Sequence, residues 1–333
     1  MNGDLLLDVD GLCVQYDMPG GAPLLAVSDV SFTLRRGEIL GIAGESGSGK
    51  TTLITALLRL QRPPAVTVAG RARFFPRDGE PLDLLHADAR TLRRLRWERI
   101  AVVFQSAMNA LNPVQRISSQ FVDAVRAHRR VSKAEARRRA ERMFELVGIP
   151  TGRMRDYPHE LSGGMRQRAT IALALVCEPD VVVMDEPTTA VDVVMQRQIL
   201  RQIARLQREA GFAIIFITHD LSLLLEISHR IAIMYGGRIV ESAPALALHR
   251  DPRHRYTVGL RDSFPPLRGP VPQLLGIPGT PPDLRRPLPG CSFAPRCAHS
   301  TADCEATVPP LKTEAERVYA CIHPHRQAVE AQP

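Results

Sequence analysis

Lysine is nearly missing from this chain. Of the 43 basic residues among 333, only Lys50, Lys133 and Lys312 are lysines. Such an arginine habit also follows from base composition in a gene, so basic runs alone carry little argument. Aromatic residues are scarce as well, at 5% with one tryptophan, which makes each ring worth locating. No apolar run approaches the ~18 residues a membrane helix needs, and the longest, IALALV and AIIFIT, are core-sized. The start, MNGDLLLDVDGLCVQY, has no basic segment and its apolar residues are interrupted by aspartates, which excludes a secretory signal there. A place inside the cell is expected, with any membrane role exercised through partners. No internal repeat is visible.

What is present suits a globular protein with a real core: 44% hydrophobic residues and a net charge of +8. That charge is compatible with nucleic acid, lipid headgroups or phosphate ligands. Residues 5–16 and 24–35 alternate as strands do, and short apolar runs at 38–44, 99–105, 180–186 and 212–220 read as buried strands. Helical patterns follow at 50–61, about 115–147 and 193–210, with further strands at 230–235 and 238–241. Buried strands alternating with helices predict an α/β core with a mostly parallel sheet. The helical stretch at about 107–160 reads as an inserted subdomain. Past residue 250 proline becomes frequent and strand runs cease, so the expected division is 1–250 and 251–333.

The first lysine sits in GESGSGKTT, Gly44 to Thr52, after a strand and before a helix. This is the G-x-x-x-x-G-K-[ST] phosphate loop. Glycines 44, 47 and 49 let backbone N–H groups, flanked by Ser46 and Ser48, curl round phosphate oxygens, and the helix adds its positive end. Lysine suits position 50 because a compact ammonium on a thin stem fits this cradle and a guanidinium fork does not. Thr51 offers a hydroxyl to Mg²⁺. Asp185 and Glu186 end the strand VVVMDE, where α/β sheets place ligands. Asp185 can hold Mg²⁺, and Glu186, expected on the other side by strand alternation, can polarise an attacking water. Gln105 and His219 end two further strands. Four polar groups at strand ends and a phosphate loop point to a nucleoside triphosphatase.

LSGGMRQR, Leu161 to Arg168, resembles the LSGGQ signature of ABC-type ATPases, and the resemblance extends over residues 5–242. It implies a P-loop NTPase fold of ABC type, with a helical signature subdomain and an antiparallel β subdomain. Carried over residue by residue, Tyr16 stacks on adenine, Gln105 is the Q-loop residue and a Mg²⁺ ligand, Asp185 and Glu186 end the Walker B strand, Asp192 belongs to the D-loop and His219 is the switch histidine. Thr52 completes the phosphate loop. Two such subunits pack head to tail, so that Ser162, Gly163 and Gly164 of one close over the γ-phosphate held by the other. Met165 and Val191 depart from the consensus without touching the catalytic set. Cofactors implied are ATP and Mg²⁺.

The tail resembles the C-terminal extension of oligopeptide/dipeptide importer ATPases, through DPRHRYTVGL, IPGTPPDL and GCSFAPRC. FQSAMNALNP fits the same branch. The family's H-P-Y-T is here His254, Arg255, Tyr256, Thr257. The resemblance implies a subunit that powers peptide import from the cytoplasmic face of the membrane. Its partners would be a second ABC ATPase (a paralogue ahead of an identical copy), two membrane permeases and an extracellular binding protein, with no nucleic acid. Nickel or oligosaccharide cargo, or a soluble ABC ATPase acting on nucleic acid or ribosomes, are the alternatives. A regulatory ATP-binding protein without turnover is disfavoured by intact Glu186 and His219.

Cys291, Cys297, Cys304 and Cys321 are spaced with 5, 6 and 16 residues between them. Disulfides are unexpected inside a cell, and zinc favours tighter pairs. An iron–sulfur cluster of [4Fe–4S] type is expected, with zinc or uncoordinated thiols as alternatives. Cys13 and Cys177 lie in apolar stretches and read as packing residues. Between Arg126 and Arg142 eight basic residues face two acidic ones. They form a surface for membrane subunits or lipid, or simply a solvated face.

Overall fold

The computed structural model describes residues 4–105, 110–187, 192–263, 276–286 and 288–326. In chain order, β1 (Leu5–Tyr16) and β2 (Leu24–Arg35) lead to β3 (Ile39–Ala43), α1 (Lys50–Leu57), β4 (Ala65–Phe74) and the short β5 (Leu82–Asp83). Then come α2 (Ala89–Glu98), β6 (Ile100–Val103), α3 (Ile117–His128), α4 (Lys133–Leu146), α5 (Gly163–Leu175), β7 (Val181–Asp185), α6 (Val193–Ala210) and β8 (Ala213–Thr218). The last stretch holds α7 (Leu221–Ile227), β9 (Arg230–Tyr235), β10 (Arg238–Pro244), α8 (Ala245–Arg250), α9 (Arg255–Asp262), α10 (Ala302–Ala306), β11 (Lys312–Glu314) and β12 (Arg317–Tyr319). Two compact units emerge: Met1–Leu6, Leu34–Ile39 and Phe74–Ile217 form one; Leu7–Thr33, Leu40–Arg73 and Thr218–Pro333 form the other.

In the first unit β6, β7 and β8 are parallel neighbours, with Ile100 opposite Val181 and Val181 opposite Ala213. Every residue of β7 and β8 is buried, which is why these strands read as unbroken apolar runs. The helical insert follows from its caps and stripes. Ser132 accepts from the Glu135 N–H at the start of α4, and Gly148 turns left-handed after its end. Phe121 of α3 meets Phe144 of α4 edge to face at 5.2 Å. Arg168 of α5 ties down the loop after α4 through the carbonyls of Val147 and Gly148, at 3.2 and 3.0 Å.

In the second unit β1 lies between β2 and β4. The ion pairs Arg73–Asp8 and Arg71–Asp10 step in opposite directions along β4 and β1. Cys13 with Asp29 and Gly11 with Ser31 do the same along β1 and β2, so β1 runs antiparallel to both neighbours. This is the expected antiparallel β subdomain, and the Cys13 sulfur accepts an N–H within it. β3 runs parallel to β9, and antiparallel pairing continues from β9 to β10, β12 and β11. The cysteine-bearing tail thus belongs to the same unit as the phosphate loop. Glu241, fully buried on β10, accepts the N–H groups of Arg253 and His254 at 2.8 Å each. Its burial pushes the carboxyl above its ordinary range.

Candidate functional site

The phosphate loop springs from β3, whose five residues are all buried. Its glycines are set by close backbone approach. A Cβ on Gly44 would stand 2.2 Å from the Met234 carbonyl oxygen, and one on Gly49, at φ 97°, 2.4 Å from that of Ala26. Ser46 and Gly47 form the exposed tip, while Ser48 is buried. Lys50, 7% exposed, donates to the carbonyls of Gly44 and Glu45 at 2.7 and 2.8 Å and to Ser48 Oγ at 3.3 Å. The ammonium is therefore folded along its own loop. Thr51 is exposed on the first turn of α1. Thr52 Oγ1 lies 3.0 Å from the Tyr16 hydroxyl, which fixes the adenine-stacking candidate beside the loop. In the same unit His219 is exposed just past β8, ahead of the Asp220 cap of α7.

The acidic group occupies the first unit. Asp185 is 3% exposed at the end of β7. Glu186 has left the strand: its backbone is left-handed at φ 47° and its N–H bonds to the Ile217 carbonyl at 2.9 Å. The alternation expectation is thereby corrected, because this turn and not the strand pleat aims its carboxylate. Gln105 Nε2 donates to Glu186 Oε2 at 3.0 Å, so two of the sequence candidates meet directly.

The signature forms the first turn of α5. Ser162 caps it, accepting from the Met165 N–H at 3.3 Å, and remains exposed. Asp192 caps α6 by accepting from Met195 at 2.9 Å. These two helix ends are neighbours, since a Cβ on Gly164 would come within 2.8 Å of Met195 Sδ. Val193 and Val194, 66% and 79% exposed, extend this face. Val191, and Ser106 to Asn109 of FQSAMNALNP, lie outside the described residues.

In the tail, Cys291, Cys297, Cys304 and Cys321 line one cavity of about 20 Å³, together with His299 and His323. Burial pushes the thiols of Cys291, Cys297 and Cys321 upward, towards the neutral form. Among the described residues no three His, Cys, Asp or Glu side chains are gathered tightly enough to hold a single metal ion. Arg255 stands where the family has proline, and its Nε donates to the His323 carbonyl at 3.2 Å, a side-chain bond proline cannot make. Cys177 is buried, and that burial raises its thiol to about 11, as suits a packing residue.

Sequence reading missed a set of contacts behind the loop. The Glu45 N–H donates to the Tyr256 hydroxyl at 3.0 Å, and Glu45 Oε2 receives Arg296 Nη1 at 2.8 Å. Tyr235, Tyr256 and Phe293 pack as a ring cluster with centroids 4.3 to 5.4 Å apart. Their scarcity was the available signal, since three of the chain's few aromatics converge here. His254 completes the cluster; burial lowers its imidazole to about 3, so it stays neutral and accepts the Tyr256 N–H.

Comparison with known proteins agrees with this arrangement. The ABC transporter family matches residues 27–189, and the oligopeptide/dipeptide transporter C-terminal region matches 240–304. The oligopeptide transport ATP-binding protein OppD of Salmonella typhimurium is 42% identical over 324 residues, covering 96% of this chain and 94% of its own. The dipeptide transport ATP-binding protein DppD of Bacillus subtilis is 40% identical over 307 residues, covering 91% and 90%. Among solved structures, the dimeric post-hydrolysis state of the ATP-binding cassette MJ0796, bound to ADP and Pi, superposes with a TM-score of 0.62 at 25% identity, covering 72% of this chain and 99% of that one. The structure of cbiO1 from Clostridium perfringens, part of the transporter complex cbiONQ, gives 0.60 at 28%, covering 73% and 89%.

Proposed function

The chain belongs to the ABC transporter family, in its oligopeptide/dipeptide branch, and from that premise we propose how its residues divide the labour of that branch's ATPase. It is an ATP-hydrolysing subunit of a peptide importer. One observation carries the division proposed: glycine-rich segments open two helices in different units, α1 at Lys50–Thr51 and α5 at its Ser162 cap with Gly163 and Gly164. A single nucleotide needs one phosphate loop. The signature, exposed at Ser162, is therefore kept for the γ-phosphate held by a second cassette.

The loop N–H groups and Lys50 take the β- and γ-phosphates, with Tyr16 against the adenine. Thr51 in one unit, and Asp185 and Gln105 in the other, each offer a hard oxygen donor of the kind Mg²⁺ prefers; the ion, when bound, would neutralise charge that develops on the phosphate oxygens. Glu186 accepts a proton from the attacking water once Gln105 yields its carboxylate. His219 fixes the γ-phosphate side. Loss of that phosphate removes the link to the partner's Ser162, and the pair opens. This opening drives two membrane permeases fed by an external binding protein; among the described residues no helix is long and apolar enough to cross a membrane. The second cassette is a paralogue ahead of an identical copy, and a second copy stands in for it when the chain is purified alone.

Glu186→Gln is expected to keep ATP affinity, lose turnover by roughly 10²-fold or more, and form an ATP-dependent dimer by light scattering. Turnover retained in that variant contradicts the assignment of the base. Lys50→Ala is expected to lose ATP binding in a titration, and unchanged affinity contradicts the cradle.

The four tail cysteines are proposed to hold a [4Fe–4S] cluster. Their convergence on one cavity supports this, and a cluster accepts thiolates spread more widely than the ~2.3 Å shell of one zinc ion. Chain purified without air should absorb near ~400 nm and contain iron and sulfide. Zinc without iron rejects the cluster.

A further inference from the structure

The family's ATP machinery does not use Arg296, yet this side chain touches the phosphate loop. Arg296 sits in the short turn Ala294–Arg296, immediately before Cys297. Its side chain is 6% exposed. Nε donates to the Pro278 carbonyl at 2.7 Å and Nη2 to that of Ile277 at 3.3 Å. Nη1 serves both Glu45 Oε2, at 2.8 Å, and the Tyr235 hydroxyl, at 3.1 Å. The guanidinium is thus fixed by four bonds, an arrangement lysine with its point charge cannot copy.

Glu45 is an awkward residue for its position. It is the second residue of a loop whose task is to gather a polyanion, and its carbonyl is one of the acceptors of Lys50. An unpaired carboxylate here repels the triphosphate and competes for the lysine. Its backbone N–H is also committed, to Tyr256, and so its placement is fixed from the tail at two points.

We propose that Arg296 is a positioning residue of the ATP site: the C-terminal extension reaches back through it to neutralise Glu45 and hold the phosphate loop open to triphosphate. The extension is then a working part of the nucleotide site. This rests on the reading that the Gly44–Thr52 loop binds ATP.

The test is ATP affinity of the purified full-length chain, measured by calorimetric titration in wild type and three variants. The charge count around the loop fixes the order. Arg296→Ala leaves a bare carboxylate and should weaken ATP roughly tenfold, a loss that shrinks in 0.5 M salt. Glu45→Gln in the wild-type background should bind at least as tightly as wild type. Arg296→Ala combined with Glu45→Gln restores neutrality and should return to within about twofold of wild type. A double variant as weak as Arg296→Ala alone would mean the arginine only holds the tail together, which overturns the proposal. So would Arg296→Ala binding like wild type. Should Arg296→Ala not fold, Glu45→Gln alone decides: tenfold weaker binding refutes the charge argument. Lys50→Ala measured alongside keeps the two readings apart, because failure of wild type to bind ATP, or of Lys50→Ala to lose it, strikes the loop assignment and not Arg296.

Discussion

Lys50 sets one charge on three oxygens of its own loop, whereas Arg296 spreads four bonds across a rigid fork. The first was legible because it breaks the chain's arginine habit. The second was not, being one of 40 arginines with its partner 251 residues away. A similar separation hid Tyr256, whose hydroxyl answers the Glu45 N–H across 211 residues. Tyr256→Phe keeps the ring cluster but leaves that N–H without its acceptor. It should cost about 1–3 kcal/mol in urea unfolding. No change in midpoint would mean water replaces the hydroxyl freely. Gly49→Ala meets both a left-handed backbone and the Ala26 carbonyl, which cannot swing away. Its ATP titration should be flat while far-ultraviolet dichroism keeps the wild-type shape. Normal binding would contradict the loop geometry.

Elements whose two faces differ sharply, or that are buried throughout, were read correctly from sequence. β1, β2, β9 and α6 fall on their expected residues, and β6, β7 and β8 differ by trimmed ends. β4 escaped because Gly70 and several exposed positions break its alternation. α2 escaped because it buries only Leu92 and Leu95, and its last turn already leaves helical angles at Arg96 and Trp97. The basic insert is partly a matter of local pairing. Glu135 receives Arg138 and Arg139, and Arg137 meets Glu141, pairs worth a few tenths of a kcal/mol each. α5 offers a sharper test of role against stability. Ser162→Ala removes one cap bond, worth about 1 kcal/mol, and so should lower the melting temperature by only a few degrees. If Ser162 also grips a partner's γ-phosphate, turnover should fall roughly tenfold or more in the assembled pair. A loss of activity no larger than the loss of folded protein would reduce the serine to a cap.

For the whole molecule, the sequence made the cassette and its extension recognisable, but not their interlocking. The phosphate loop and the cysteine-bearing tail fold as one unit, and the acidic strand end and the signature as another. No local pattern announces such a division, since each unit is assembled from three separate stretches of chain. The exposed Ser162 and the neighbouring first turns of α5 and α6 form the face proposed for a second cassette. Specific ATPase activity across a dilution series, followed by light scattering at each concentration, tests this most directly. The account predicts that activity per chain falls with the fraction of paired cassettes and vanishes in the monomer. A monomer turning over at the full rate, constant per chain down to the lowest concentration, would contradict it.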